Sequence, residues 1–310
     1  MTRRQVDPGY SYSRAWRMVS IILLRPSLRL LLKRDWAGQQ NIPRSGGLIL
    51  APNHISYADV FAMSLFSYES GRYPVFLAKD TVFTVKVLGS IVRKLGQLPV
   101  HRGQTDAALV LRDAERGIAA GACVIVYPEA TCTRDPDLWP MGAKTGVARL
   151  ALSTGAPVVP IAHWGAQNVL PYGSKRPHLF PRSTIRMVAG PPVDLSEFRG
   201  KPLNAATLRA ATTAVMRDIT GLLAGLRGEQ PPAVPYDPRA ARKERRRTMP
   251  GTASDTGTAT DTGTATDAGT QTDTGTATDA GTQTDVGADV GAGSSEPLTG
   301  QAGSGRAGQG

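Results

Sequence analysis

Gly47-Leu48-Ile49-Leu50-Ala51-Pro52-Asn53-His54-Ile55-Ser56-Tyr57-Ala58-Asp59-Val60 joins an apolar run to a polar turn and then to the start of a helix. Gly47 to Leu50 reads as a buried strand, and Pro52 stops it. Tyr57 to Phe66 carries the Ala, Met, Leu and Phe of a helix, and Ser56 with Asp59 three residues on is a helix-start signature. His54 therefore stands in a strand-to-helix turn. On one continuous helix, residues five apart diverge by roughly 140°, so His54 and Asp59 meet only if His54 lies outside the helix and Asp59 in its first turn. Such a pair suits general-base catalysis, because the carboxylate fixes the imidazole tautomer, orients the ring and stabilises the imidazolium that forms. The same residues also fit a capping box, with Asp59 serving Ser56 and His54 a hydrogen-bonded turn residue. The spacing leaves both readings open.

Outward from this turn, strand and helix patterns alternate. Strands are expected at Pro74 to Ala78, Leu98 to Val100, Ala122 to Tyr127, Pro157 to Ala162 and Thr184 to Val188. Helices are expected at Phe83 to Leu95, Asp106 to Ala119, Thr145 to Ser153 and Ala205 to about Leu226. Alternation at these lengths predicts one α/β domain with helices on the faces of its sheet.

The ends of the chain follow other rules. From Gly251 the sequence repeats Thr, Asp, Gly and Ala, with Asp255 to Asp285 recurring every six residues and no aromatic residue. Such a segment buries too little apolar area to offset roughly 1–2 kcal/mol of ordering entropy per residue, so disorder is expected. Its seven Asp, one Glu and one Arg give a net charge of −7, which leaves the first 250 residues at +18 against +11 for the whole chain. An anionic partner follows: nucleic acid, a phospholipid surface or a phosphorylated substrate. Cys123 and Cys132 are the only cysteines and have neither metal-ligand nor disulfide-framework spacing, which fits a reducing compartment.

Ala15 to Arg34 is apolar, but Arg25, Pro26 and Arg29 interrupt it, and the uncharged run Met18 to Leu24 falls far short of the roughly 20 residues needed to span a bilayer. Two short helices edged by Arg and bracketed by Trp16 and Trp36 would lie on a membrane surface or pack on the domain. The predicted division is 1–38 for membrane-interfacial helices, 39–230 for the α/β domain, 231–250 for a Pro-rich then basic linker, and 251–310 for the tail.

Three further blocks end predicted strands. Gly96-Gln97-Leu98-Pro99-Val100-His101-Arg102-Gly103 delivers a guanidinium able to clamp a phosphate. Val126-Tyr127-Pro128-Glu129-Ala130-Thr131-Cys132-Thr133-Arg134-Asp135 offers an acceptor, a donor and a cation in Glu129, Thr131 and Arg134, and Lys144 stands farther on at a helix entry that welcomes an anion. Val158-Val159-Pro160-Ile161 is apolar, suited to an acyl chain or the core. Singly, each has a plain explanation as surface charge, ion-pair partner or edge strand. Together, strand ends of one α/β sheet converge on a common crevice.

These four blocks resemble, in order, the motifs of the glycerolipid acyltransferases of the 1-acyl-glycerol-3-phosphate acyltransferase family. His54 and Asp59 match its His-x4-Asp, Gly96 to Arg102 its Gly-x-x-Phe-Ile-x-Arg, Tyr127 to Cys132 its Phe-Pro-Glu-Gly-Thr-Arg, and Val159 to Ile161 its Val-Pro-Ile. The likeness runs from about Leu30 to Val193. Ala130 and Cys132 depart from the pattern, standing where the family has Gly and Arg. The resemblance implies a mixed sheet flanked by helices, and acyl transfer from acyl-CoA or acyl carrier protein to the sn-2 hydroxyl of lyso-phosphatidic acid, giving phosphatidic acid. It implies His54 and Asp59 as catalytic, with backbone N–H groups near the His54 turn binding the oxyanion. Arg102, with Glu129 and Thr131 shaping the pocket, would hold the acceptor phosphate, Arg134, Lys144 and Lys79 are lesser candidates for contact with phosphate or coenzyme A, and Gly96 and Pro160 come with the matched motifs. No metal or bound cofactor is required. A peripheral place on the cytoplasmic face of the cell membrane, against anionic lipid, follows from a lipid substrate. Two other readings stand beside this: transfer to another lyso-lipid or polyol, and a non-catalytic basic membrane-surface domain. Nucleic acid is not expected as a partner, because no zinc-binding spacing, ribonucleoprotein motif or helix-turn-helix is present.

Overall fold

A computed structural model describes residues 13–79, 83–100, 106–174 and 176–238, with 240, 241, 243 and 247. Arg102 and the tail 251–310 lie outside the described residues.

Seven strands form one sheet: β1 (Lys33–Ala37), β2 (Leu48–Pro52), β3 (Pro74–Lys79), β4 (Leu98–Val100), β5 (Cys123–Ile125), β6 (Val158–Trp164) and β7 (Thr184–Ala189). Their order is β1-β7-β6-β2-β5-β3-β4. The ladders are parallel except for β6 against β7, so the sheet is mixed as the resemblance implies. Helices α1 (Arg14–Leu31), α2 (Asp59–Glu69), α3 (Lys86–Lys94), α4 (Asp106–Ala119), α5 (Gly146–Thr154), α6 (Ala166–Val169) and α7 (Ala205–Arg227) complete the regular structure.

The continuous apolar run of β2 is explained by burial on both faces. Ile49 packs with Val75, Val124 and Val158 under α4, α5 and α7, while Leu48 and Leu50 face the opposite way, against Met63 and Phe66 of α2. This two-sided burial places β2 in the middle of the sheet, and its C-terminal end therefore opens where β5 and β6 also end.

Two expectations about the N-terminal region need correction. Arg14–Leu31 is one helix, not two, with Pro26 inside it. Pro26 removes only one backbone bond, and Ser13, whose Oγ accepts the Trp16 N–H at 3.4 Å, caps the start. Lys33–Ala37, assigned with the interfacial helices, is instead a strand in register with Thr184–Val188, so the sheet begins before residue 38. Its sequence, Lys-Arg-Asp-Trp-Ala, hides this because an exposed edge strand has no apolar face to display.

Polar contacts hold α1 along its neighbours. Arg17 Nε donates to the Leu95 carbonyl at 3.2 Å, and Arg29 pairs with Glu69, which also takes Arg34 of β1. Its apolar stripe is left uncovered: Met18, Val19, Ile22, Leu23 and Leu30 are exposed, the last at 70%. No described helix is long and apolar enough to cross a membrane.

Candidate active site

Past Pro52 the chain leaves the sheet, turns through His54 and enters α2 at Asp59. The two side chains meet, with His54 Nδ1 2.9 Å from Asp59 Oδ2. The same oxygen accepts the backbone N–H of Ile55 at 2.8 Å and of Ser56 at 3.0 Å. Capping and dyad are thus one arrangement, because the carboxylate that receives the turn's N–H groups also orients the ring. With the Nδ1 proton directed at Asp59, Nε2 carries the lone pair and is the atom able to take a proton. Burial by itself would raise the Asp59 carboxyl, but the charge of buried His163 and the hydrogen bonds from His163 and His54 hold it down at about 2.

Glu129, in the loop after β5, braces the turn from the other side. Its Oε1 accepts the His54 N–H at 3.0 Å and its Oε2 the Met141 N–H at 3.1 Å. The Thr133 N–H in turn donates to the His54 carbonyl at 2.7 Å. The Tyr127 ring stacks on the imidazole, with centroids 4.2 Å apart.

Residues 33–164 match the model of the Acyltransferase family. That stretch is a little over two fifths of the chain. The chain is similar to a chloroplast 1-acyl-sn-glycerol-3-phosphate acyltransferase of Brassica napus, 30% identical over 46% of this chain and 40% of the relative. The enzyme of the same name from Bacillus subtilis is 25% identical over 59% of this chain and 85% of the relative. The chain thus spans about two fifths of the length of the chloroplast relative. The fold is like that of the 1-acyl-sn-glycerophosphate acyltransferase of Thermotoga maritima, with a TM-score of 0.51 at 20% identity, covering 70% of this chain and 81% of that one.

Within the matched stretch, Cys132 lies against His54, its Sγ 3.5 Å from Nε2 and 3.6 Å from Nδ1. Near-equal distances put the sulfur over the ring, since an approach along the Nε2 lone pair would leave Nδ1 much farther away. Burial, followed by the charges of Asp59 and Glu129, pushes this thiol up to about 12, so it remains protonated. Cys132 packs the imidazole and is not aligned to act as a nucleophile. Ala130 occupies the left-handed region at φ 59°, which accounts for the family's glycine there.

Thr131 is half-buried in the Glu129 loop, and Arg134 and Lys144 are exposed, with Lys144 preceding α5. Gly96 has φ 74° and its N–H bonds to Arg93 O, closing α3 ahead of β4. Pro160 is buried in β6, opposite Ala51. Lys79 ends β3.

Backbone N–H groups near the His54 turn were expected to bind an oxyanion; of these, the His54 N–H is engaged by Glu129 and those of Ile55 and Ser56 by Asp59. The Ala58 N–H is likewise taken, by Ser56 Oγ at 2.9 Å. A carboxylate on each side of a tight turn claims these donors first.

Sequence reasoning also missed Asn53 and His163. His163 ends an apolar run whose alternation reads as core, and only the pairing of β2 with β6 brings it beside the turn.

The buried groups make stability depend on pH. Burial pushes Glu129 up to about 7 from an ordinary 4.5, against the pull of its two N–H partners. A carboxyl raised in the folded state holds its proton more tightly there, so its contribution is full below about pH 4.5 and is lost as pH rises to about 7. His163 acts in the same direction: burial opposes its charge, but Asp59 raises it above 6.5, so its contribution is full below 6.5 and declines above. Asp59 acts oppositely and loses its contribution as pH falls from about 4 to about 2. The melting temperature is therefore expected to peak near pH 5 and to fall towards pH 8, with a flatter alkaline slope in Glu129→Gln. Melting curves across that range check this, and an equally steep slope in the variant would assign the fall to another group.

Proposed function

We propose that the chain transfers a fatty acyl group from an acyl-CoA or acyl carrier protein thioester to the sn-2 hydroxyl of 1-acyl-glycerol-3-phosphate, giving phosphatidic acid. The observation that carries this reading is the His54–Asp59 contact at the end of β2, with Nε2 left as the base. In the reaction Nε2 takes the hydroxyl proton as the oxygen attacks the thioester carbonyl, and the imidazolium, steadied by Asp59, returns that proton to the departing thiolate. The C–S bond breaks as the C–O bond forms, with no net gain or loss of electrons. Arg102, by its motif match, would hold the acceptor phosphate.

The acceptor is also proposed to be drawn from a bilayer, with the protein peripheral on the cytoplasmic face. In support, Met18, Val19, Ile22, Leu23 and Leu30 of α1 are exposed, a surface suited to apolar insertion, and the net charge of +18 on the first 250 residues favours anionic lipid. A second reading, transfer to a different lyso-lipid or polyol, is favoured by the buried thiol at Cys132 in place of the family's Arg.

Purified protein is to be incubated with acyl-CoA and vesicles containing lyso-phosphatidic acid, other lyso-phospholipids or acyl-polyols in turn. Phosphatidic acid formed fastest, on protein that floats with the vesicles, is the expected result. Faster acylation of another acceptor would establish the second reading, and no transfer from either kind of thioester would overturn both.

A further inference from the structure

Behind the dyad stands a second imidazole. His163 is fully buried in β6, where Val159 and Ile161 at the two alternate positions before it face the core beside α2. An aliphatic residue would satisfy packing there, and a buried imidazole is costly unless hydrogen-bonded. Its partners lie at both ends of the catalytic turn. At the start, Asn53 is joined to His163 three times: ring Nε2 to Asn53 O at 2.8 Å, His163 N–H to Asn53 Oδ1 at 2.9 Å, and Asn53 Nδ2 to His163 O at 3.2 Å. At the other end, ring Nε2 is 3.5 Å from Asp59 Oδ2, the oxygen that also meets His54.

We infer that His163 is a positioning residue for acyl transfer: by gripping the Asn53 carbonyl and the Asp59 carboxylate together, it fixes the turn between them on which the His54 ring is aligned. This rests on the acyltransferase reading of the site. The Asn53 carbonyl belongs to the peptide that leads into His54, so a shift there moves the His54 Cα directly. Asp59 is the first residue of α2 and is itself steadied by the same Nε2–H edge. The backbone bonds between Asn53 and His163 survive most side-chain changes at 163, whereas the two ring contacts do not. That separation lets the imidazole be tested while β2 and β6 stay joined.

The test uses the full chain with His163→Leu, which fills space without a donor, and His163→Gln, whose amide N–H can reach the Asn53 carbonyl. Each variant is assayed below its melting temperature, with kcat and both KM values measured. His163→Leu is expected to lower kcat by about ten- to a hundredfold with each KM within about twofold, because misplacing a catalytic group by an ångström costs up to about 10². His163→Gln should return kcat to within about threefold of the parent. If the leucine variant does not fold, His163→Asn takes its place, since its shorter amide stops short of both acceptors, and the same loss is expected. A parental kcat in the folded Leu or Asn variant, or an equal loss in Gln, would overturn the inference. Independently of substrate, the low-field proton NMR resonance of the His54 Nδ1–H, assigned by its absence in His54→Ala, should shift or broaden in His163→Leu and recover in His163→Gln. An unchanged resonance in the leucine variant would overturn it as well. An inactive parent chain would instead refute the proposed function and leave the resonance to decide the role of His163.

Discussion

Turnover of the His54→Ala protein is expected to fall by about 10²–10⁴, the usual loss when a general base is removed, while its fold is retained. The imidazole is partly open, with its side chain 13% exposed, and it lies between the Tyr127 ring and the Cys132 sulfur, so removing it opens a shallow gap at the surface of the core. Asp59 keeps two backbone N–H partners in that variant. Steady-state rates alongside circular dichroism and a melting curve separate the two effects. Transfer at the parental rate by a well-folded His54→Ala protein would remove the base from this site.

A different signature is expected of Asp59→Asn, which should lose both rate and stability. Asp59 Oδ2 serves the His54 ring, two backbone N–H groups and the neighbourhood of His163 from a fully buried position. An amide can set its oxygen where Oδ2 stands, but it brings no charge to these contacts and puts an NH2 group at the position of Oδ1, which is buried without a hydrogen-bond partner. Hydrogen bonds to a charged group contribute roughly 1.5–3 kcal/mol each, about twice a neutral one, and a loss of about 2 kcal/mol lowers the melting temperature of a domain of this size by about 4–8 °C. Without the negative charge the imidazolium is also unsupported, so kcat is expected to fall by about 10²–10⁴ as well. A variant that melts early yet turns over at the parental rate would leave Asp59 with the capping role alone.

The two expected signatures differ because one residue projects from the turn and the other is built into it. That distinction was not legible in the sequence, where His54 and Asp59 were equal members of a spacing. Their meeting was legible, since it depends only on a strand stop, a five-residue interval and a helix start. So was the alternation of β3 through α5, because strands buried on both faces advertise themselves as apolar runs. β1 was not, because a charged edge strand lacks such a run, and the continuity of α1 was obscured by Pro26. His163 could not be assigned a role from its surroundings in the chain. It sits 110 residues from Asn53, and its partners are set by the register of β2 against β6. The fate of the turn's N–H groups was illegible for a similar reason: Glu129 reaches His54 from 75 residues away.

The hydrogen bonds between Asn53 and His163 also fix when the site comes into being. As the chain is made, His54 and Asp59 appear early, and β2, β3 and β5 can pair before β6 has been synthesised. The turn has neither its grip on His163 nor a closed β2–β6 ladder until residue 164 is in place. Non-local parallel pairing is among the slower steps in assembling a sheet. A partly folded chain that already contains the whole His-x4-Asp segment therefore lacks the Asn53–His163 contacts, and these arrive only with the docking of β6.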